Sequence, residues 1–165
     1  MLTIRPYHED DAAVVGVLIA DTYSRFNLSF ASDEELAKLL GPFRHAGSDD
    51  PDHREAIAQV LRSPMVFVAE EDGEIAGVLR GRRERLSSLF VRGDHQRRGI
   101  GRRLVEQFEQ ASIREGVALI RVASTLYGIP FYIALGYRRT TGIRNGWSFE
   151  GAGLQYQPMK KVLAG

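Results

Sequence analysis

Apolar positions along the chain change period near its middle, and the change marks two kinds of structure. Residues 2–5 alternate apolar and polar and stop at Pro6, which predicts an opening strand. An acidic stretch, His8-Glu9-Asp10-Asp11, precedes the almost wholly apolar residues 12–20 and predicts a helix there. Ser32, with Glu35 three residues on, predicts a capping box for a second helix through Leu36, Leu39 and Leu40. That helix should stop at Gly41-Pro42. Residues 52–61 predict a third, set between a turn-rich break at 47–51 and Ser63-Pro64.

Beyond Pro64 the pattern becomes that of strands. Short apolar runs at 65–69 and 75–79, joined by Glu70-Glu71-Asp72-Gly73-Glu74, predict a hairpin, and residues 86–91 a third strand. Ile100, Leu104, Phe108 and Ala111 recur at spacings of three and four, the buried stripe of a helix that Gly116 should end. A strand at 117–123, a short helix at 129–135 and a strand at 137–140 follow. The glycine-rich segment 142–153 reads as a long loop, and 155–163 as a last strand in which Pro158 suggests an edge or a bulge. Neither repeats nor a linker interrupt the chain. The expected fold is a single α/β (α+β) domain over residues 1–165. Its centre would be a mixed, mostly antiparallel twisted sheet of about seven strands, flanked by helices.

Composition narrows the chemistry. The chain has 165 residues, enough for one core. It lacks cysteine, which excludes disulfides, thiolate metal sites and cysteine nucleophiles. The N-terminus lacks a signal-peptide pattern and no apolar run approaches membrane-spanning length, so a cytoplasmic protein with no membrane partner is expected. A net charge of +1 argues against a general nucleic-acid binder. Charge is uneven, however: between Arg80 and Arg103, nine arginines stand against Glu84 and Asp94. A local anionic ligand fits that distribution better than a polyanion wrapped around the surface.

That ligand has an obvious seat. The strand ending Leu89-Phe90-Val91 runs into Arg92-Gly93-Asp94-His95-Gln96-Arg97-Arg98-Gly99-Ile100-Gly101-Arg102-Arg103, and a helix begins at once. The first turn of a helix has backbone N–H groups without partners, and its dipole favours an anion. A Walker loop is absent, and the third glycine of a dinucleotide fingerprint is missing. A phosphorylated ligand at residues 96–103 is the expectation.

Gln96-Arg97-Arg98-Gly99-Ile100-Gly101 resembles the Gln/Arg-x-x-Gly-x-Gly/Ala signature of the GNAT superfamily of acetyl-CoA-dependent N-acetyltransferases. Leu89-Phe90-Val91 is similar to the strand before it in that family. Downstream, Pro130-Phe131-Tyr132-Ile133-Ala134-Leu135-Gly136-Tyr137 resembles the family's Phe-Tyr-x-x-x-Gly-Phe/Tyr block. The resemblance covers residues 65–163 well and 2–61 only in coarse pattern. Gly93 stands where the family often has proline.

The resemblance implies an acyltransferase that carries acetyl from acetyl-CoA to an amine. The pyrophosphate of coenzyme A would lie on the backbone from Arg97 to Arg102, with the arm paired as a pseudo-strand along Phe90 and Val91. Thr125 and Tyr127 stand where the family often has a cofactor-binding asparagine, and Phe131 adjoins them. Tyr132 would protonate the departing thiolate. An alkylammonium of pKa about 10.4 costs about 4 kcal/mol to deprotonate near neutral pH, so a base or water chain is needed. Many members place a carboxylate on the strand that here holds Ser87 and Ser88. Glu70, Glu84, His45, His53 and His95 are alternatives, and water-relayed deprotonation is the preferred reading.

Tyr23, Phe26, Asn27, Trp147 and Phe149 are candidates for the acceptor site, and Arg80, Arg82, Arg83 and Arg85 could favour an acidic acceptor. The acceptor would be a small-molecule or protein amine, with a homodimer possible, no metal and no nucleic-acid partner. A GNAT-like module that binds acyl-CoA without turnover is the competing reading. A transfer-RNA acetyltransferase would need a broader basic surface.

Overall fold

The computed structural model describes residues 1–163. Eight strands form one sheet in the order β1 (Leu2–Pro6), β2 (Met65–Glu71), β3 (Glu74–Arg82), β4 (Arg85–Val91), β5 (Leu119–Thr125), β8 (Gly151–Val162) and β6 (Arg138–Arg139). The eighth, β7 (Arg144–Ser148), also pairs with β8. Every pairing is antiparallel except β4 with β5. The helices are α1 (Ala12–Thr22), α2 (Asp33–Leu40), α3 (Pro51–Leu61), α4 (Ile100–Arg114) and α5 (Ile129–Ala134).

Local signals account for most element ends. Ser32 accepts a hydrogen bond from the Glu35 N–H and donates to the Glu35 carboxylate, so α2 starts at the expected box. The α1 helix runs past its expected end and closes in a π-turn, Tyr23–Asn27. Gly116, at φ +80°, ends α4.

Two cores lie on opposite faces of the sheet. On one face α4 presents Ile100, Leu104, Val105 and Phe108 to Leu79, Leu86, Ile120, Val122 and Met159. On the other, α1, α2 and α3 bury Val15, Ile19, Leu39 and Leu61 against Val66, Val68 and Val78. Glycines let α4 sit close: a Cβ on Gly77 would meet the Leu104 side chain at 3.0 Å, and one on Gly81 the Phe108 ring at 2.6 Å. Strand alternation then fixes Val78, Arg80 and Arg82 on the face away from α4.

Two sequence expectations are corrected. Segment 142–153 is not a long loop but holds β7 and the start of β8, a hairpin that makes eight strands rather than about seven. Its glycines serve close approach, since a Cβ on Gly146 would meet the Tyr156 ring at 2.8 Å and one on Gly151 the Leu39 backbone at 2.8 Å. Pro158 does not mark an edge. Strand β8 is flanked by β5 on one side and by β6 and β7 on the other, and Pro158 sits where β6 has ended and β7 has not begun. Its carbonyl accepts from the Thr140 N–H on that side, so the missing N–H falls in the same gap.

Candidate active site

Strands β4 and β5 pair through only two residue pairs, Arg85 with Arg121 and Leu86 with Val122. Beyond them β4 stays with β3 and β5 stays with β8, so the two diverge. A bulge helps to turn β4, because Arg80 faces Ser88 while the next residue, Gly81, faces Leu86. The wedge opens into a cleft of about 1330 Å³. Along residues 87–91, β4 has no partner strand on its β5 side among the described residues.

The N-terminus of α4 stands at the wide end. Gly99 is its N-cap, at φ +81°, and offers no side-chain oxygen to the first turn. Arg103 N–H donates to the Gly99 carbonyl, which leaves the N–H groups of Ile100, Gly101 and Arg102 ahead of the first helical bond. Arg97, also left-handed at φ +64°, bends the chain so that the turn closes on itself. A Cβ on Gly99 would meet nothing within 4 Å, whereas one on Gly101 would press on the Phe131 ring at 3.0 Å. This is an uncapped anion seat, ringed by Arg97 and Arg102. It fits a pyrophosphate by its own donors.

Most residues singled out from the sequence meet around this cleft: Leu89, Phe90 and Val91 on β4; Gln96, Arg97, Gly99, Ile100, Gly101 and Arg102 at the turn; and Thr125, Tyr127, Phe131 and Tyr132 on the far wall. Tyr23, Phe26, Asn27, Trp147 and Phe149 line it too. The Arg98 side chain is the exception. It leaves the cleft to pair with Glu71 at 3.0 Å. Several of these residues also hold one another. Asn27 donates to the Thr125 hydroxyl at 2.6 Å, and Phe26 stacks on Tyr127 with centroids 5.4 Å apart. Tyr127 donates to the Gln96 side-chain oxygen, and the Gln96 amide donates to the Val91 carbonyl. The π-turn after α1 thereby reaches across the cleft to the end of β5.

Tyr132 is 6% exposed, and its hydroxyl, at the cleft wall, has no hydrogen-bond partner among the described residues. Burial pushes its pKa above the ordinary phenol value, so the group keeps its proton. Among the described residues no Asp or Glu lines the cleft. Of the alternative bases, Glu70 is bound to Arg5 on the far edge of the sheet, and His45 stacks on His53 in a separate small pocket. His95 does line the cleft, at the phosphate turn, with Nδ1 2.7 Å from Asp94. Of the four arginines that the sequence offered for an acidic acceptor, Arg80 and Arg85 line the cleft, and burial among neighbours that include Ser88 and the Val60 carbonyl lowers the Arg80 pKa. Arg83 instead reaches the Glu115 carbonyl and lies outside the cleft.

The sheet splits between its fourth and fifth strands with an uncapped helix at the mouth, a layout that offers an anionic cofactor both a seat and an unpaired strand edge. Comparison with known proteins agrees. The family model described as the acetyltransferase (GNAT) domain matches residues 43–163, and the chain belongs to that family. It is an acetyl-CoA-dependent acyltransferase by that membership.

Among solved structures, a GCN5-related N-acetyltransferase from Rhodopseudomonas palustris superposes with a TM-score of 0.81 at 21% identity, covering 98% of this chain and 95% of that one. The PaiA N-acetyltransferase of Thermoplasma acidophilum, in complex with coenzyme A, gives 0.75 at 15% identity and covers 99% of each chain. YncA from Salmonella typhimurium, a putative acetyltransferase with its cofactor acetyl-CoA, gives 0.64 at 20% identity, covering 100% of this chain and 95% of that one. No curated protein sequence matches this chain.

Proposed function

We propose that this protein is an N-acetyltransferase that moves an acetyl group from acetyl-CoA directly to a primary amine. The observation that carries the reading is the Tyr132 hydroxyl, protonated by burial and unpartnered in a cleft whose mouth is an uncapped helix N-terminus. The N–H groups of Ile100, Gly101 and Arg102, with the Arg97 and Arg102 guanidinium groups, would hold the pyrophosphate. Hydrogen bonds to a charged group are each worth about 1.5–3 kcal/mol. The unpaired side of β4 at residues 87–91 would hold the pantetheine amides as an added strand does. Bound there, acetyl-CoA supplies an activated thioester.

The chain's own groups do the rest. The cleft admits the amine from the side of Tyr23, Asn27 and Trp147. Tyr132 would give its proton to the sulfur as the C–S bond breaks and the C–N bond forms, and would recover one from the amine through water. The amine proton leaves through water, since the cleft is lined by hydroxyls of Ser87, Ser88 and Thr125 rather than by a carboxylate. The test is release of coenzyme A thiol with a panel of amines. Tyr132→Phe should lower kcat about 10²–10⁴-fold, with acetyl-CoA binding and the melting temperature preserved. Tight acetyl-CoA binding without turnover on any amine would overturn the enzymatic reading in favour of a binding module.

A further inference from the structure

Strand register assembles a line of cations that the sequence scatters over almost eighty residues. Arg82 stands opposite Arg85, Arg85 opposite Arg121, Arg121 opposite Lys160, and Lys160 opposite Arg138. The line therefore crosses β3, β4, β5, β8 and β6 in one row. Residues directly opposite share a face, and this face is the one away from α4. Leu86, Val122 and Met159, the neighbours of Arg85, Arg121 and Lys160 along their strands, point into the α4 core. Lys161 confirms the alternation, because its ammonium reaches Glu109 on α4.

Arg85 is half-buried and the other four are exposed. None of the five is in an ion pair among the described residues. Like charges set directly opposite on a sheet repel one another. A folded protein that keeps five of them in register has placed a field there. At about 4.8 Å per strand step the row is about 19 Å long, more than a small amine can touch at once. Arg85 and Arg121 also line the cleft, so the row leads into the active site on its acceptor side, and Arg80 lies one step further in on the same face.

We propose that the acceptor is a polypeptide whose target amine is flanked by acidic residues, docked with its carboxylates along this row. The proposal rests on the acetyl-transfer reading only for what happens to the amine; the docking stands on register and charge. A single-stranded nucleic acid suits the row less well. Stacking surfaces interleave aromatic residues with cations, and no aromatic residue stands in this line.

The test uses a fluorescein-labelled Glu-Glu-Lys-Glu-Glu peptide and its Gln-flanked counterpart, followed by anisotropy on the intact protein. The acidic peptide should bind at least about tenfold tighter near 50 mM salt, and the advantage should shrink as salt shortens the screening length. Lys160→Gln with Arg138→Gln, both exposed and outside the cleft, should remove most of that advantage. The double variant should leave turnover of a neutral small amine unchanged, and Arg54→Gln on α3 should change neither. Equal binding of the two peptides, or an acidic preference that survives the double variant, would overturn the proposal. Displacement by oligouridylate below the concentration needed of unlabelled peptide would point to a nucleic acid. Displacement by free glutamate at that concentration would point to a small-molecule site. Acidic-peptide binding with no release of coenzyme A thiol would count against acetyl transfer and leave the docking surface standing.

Discussion

Tyr132 and Tyr137 meet edge to face with ring centroids 5.5 Å apart, yet their hydroxyls do opposite work. Tyr137 donates to Glu109 at 2.9 Å, and Lys161 holds the same carboxylate at 3.0 Å, a closed unit between α4 and β8. Burial and the Glu109 charge both push the Tyr137 pKa up, so the phenol stays a donor. Lys161→Met would leave that carboxylate short of its cation. Since Lys161 is partly exposed, the cost should be about 2 kcal/mol, below the full penalty for a buried pair, read by urea unfolding. Tyr23 shows the same distinction on the other face. Its hydroxyl donates to Ser148, which donates to the Leu39 carbonyl, tying the π-turn after α1 to β7 and α2. Ser148→Ala should cost about 1–2 kcal/mol, and less in a Tyr23→Phe background, by a double-mutant cycle. Sequence pattern placed Tyr23 beside an acceptor, and it does line the cleft. What it could not show is a partner 125 positions away that occupies the hydroxyl.

At the scale of elements, the β7–β8 hairpin depends on a backbone close to α2. Gly151→Ala would set a methyl 2.6 Å from the Leu39 side chain and 2.8 Å from its backbone nitrogen. Overpacking of that kind should cost about 1–3 kcal/mol, with the melting temperature as readout. Glycines of this sort are why the hairpin was illegible: they satisfy packing between segments far apart in the chain, while a local reading takes them for loop. By contrast, α2, α4 and the hairpin of β2 and β3 were legible, because caps, stripes and an acidic turn are local signals. The first strand is fastened by charge. Arg5 bridges Asp11, ahead of α1, and Glu70 on β2, at 2.9 and 3.0 Å. The Arg5 hydrogen bond holds the Asp11 pKa below its ordinary value. Stability from this contact is therefore complete above the unfolded carboxylate value of about 3.9 and is lost as pH falls through the lower folded value. Arg5→Met should flatten that acid limb in stability measured against pH, and leave a shallower slope below about pH 4.

For the molecule as a whole, hydrophobic periodicity reached the sheet, and two compact motifs pointed to the residues of the 96–103 turn and to Tyr132, most of which line one cleft. Sequence missed the cation row and the place of Pro158, because both are products of register between distant strands. A net charge of +1 likewise conceals a row of five cations across one face of the sheet. The divergence of β4 from β5 has a mechanical meaning as well. The sheet consists of two plates that share a seam of only two residue pairs among the described residues, spanned by α4 on one side and tied on the other by Asn27 to Thr125 and by α2 against the β7–β8 hairpin. Such a seam is the natural line for partial opening, so amide hydrogen exchange without ligand should show β5 and β8 opening together at lower free energy than β2 and β3. Acetyl-CoA at a hundredfold excess over its Kd should add about 2.7 kcal/mol to global stability and slow exchange on both plates at once. Catalysis and cohesion would then draw on the same gap, and the protein would be most firmly one body when its cleft is filled.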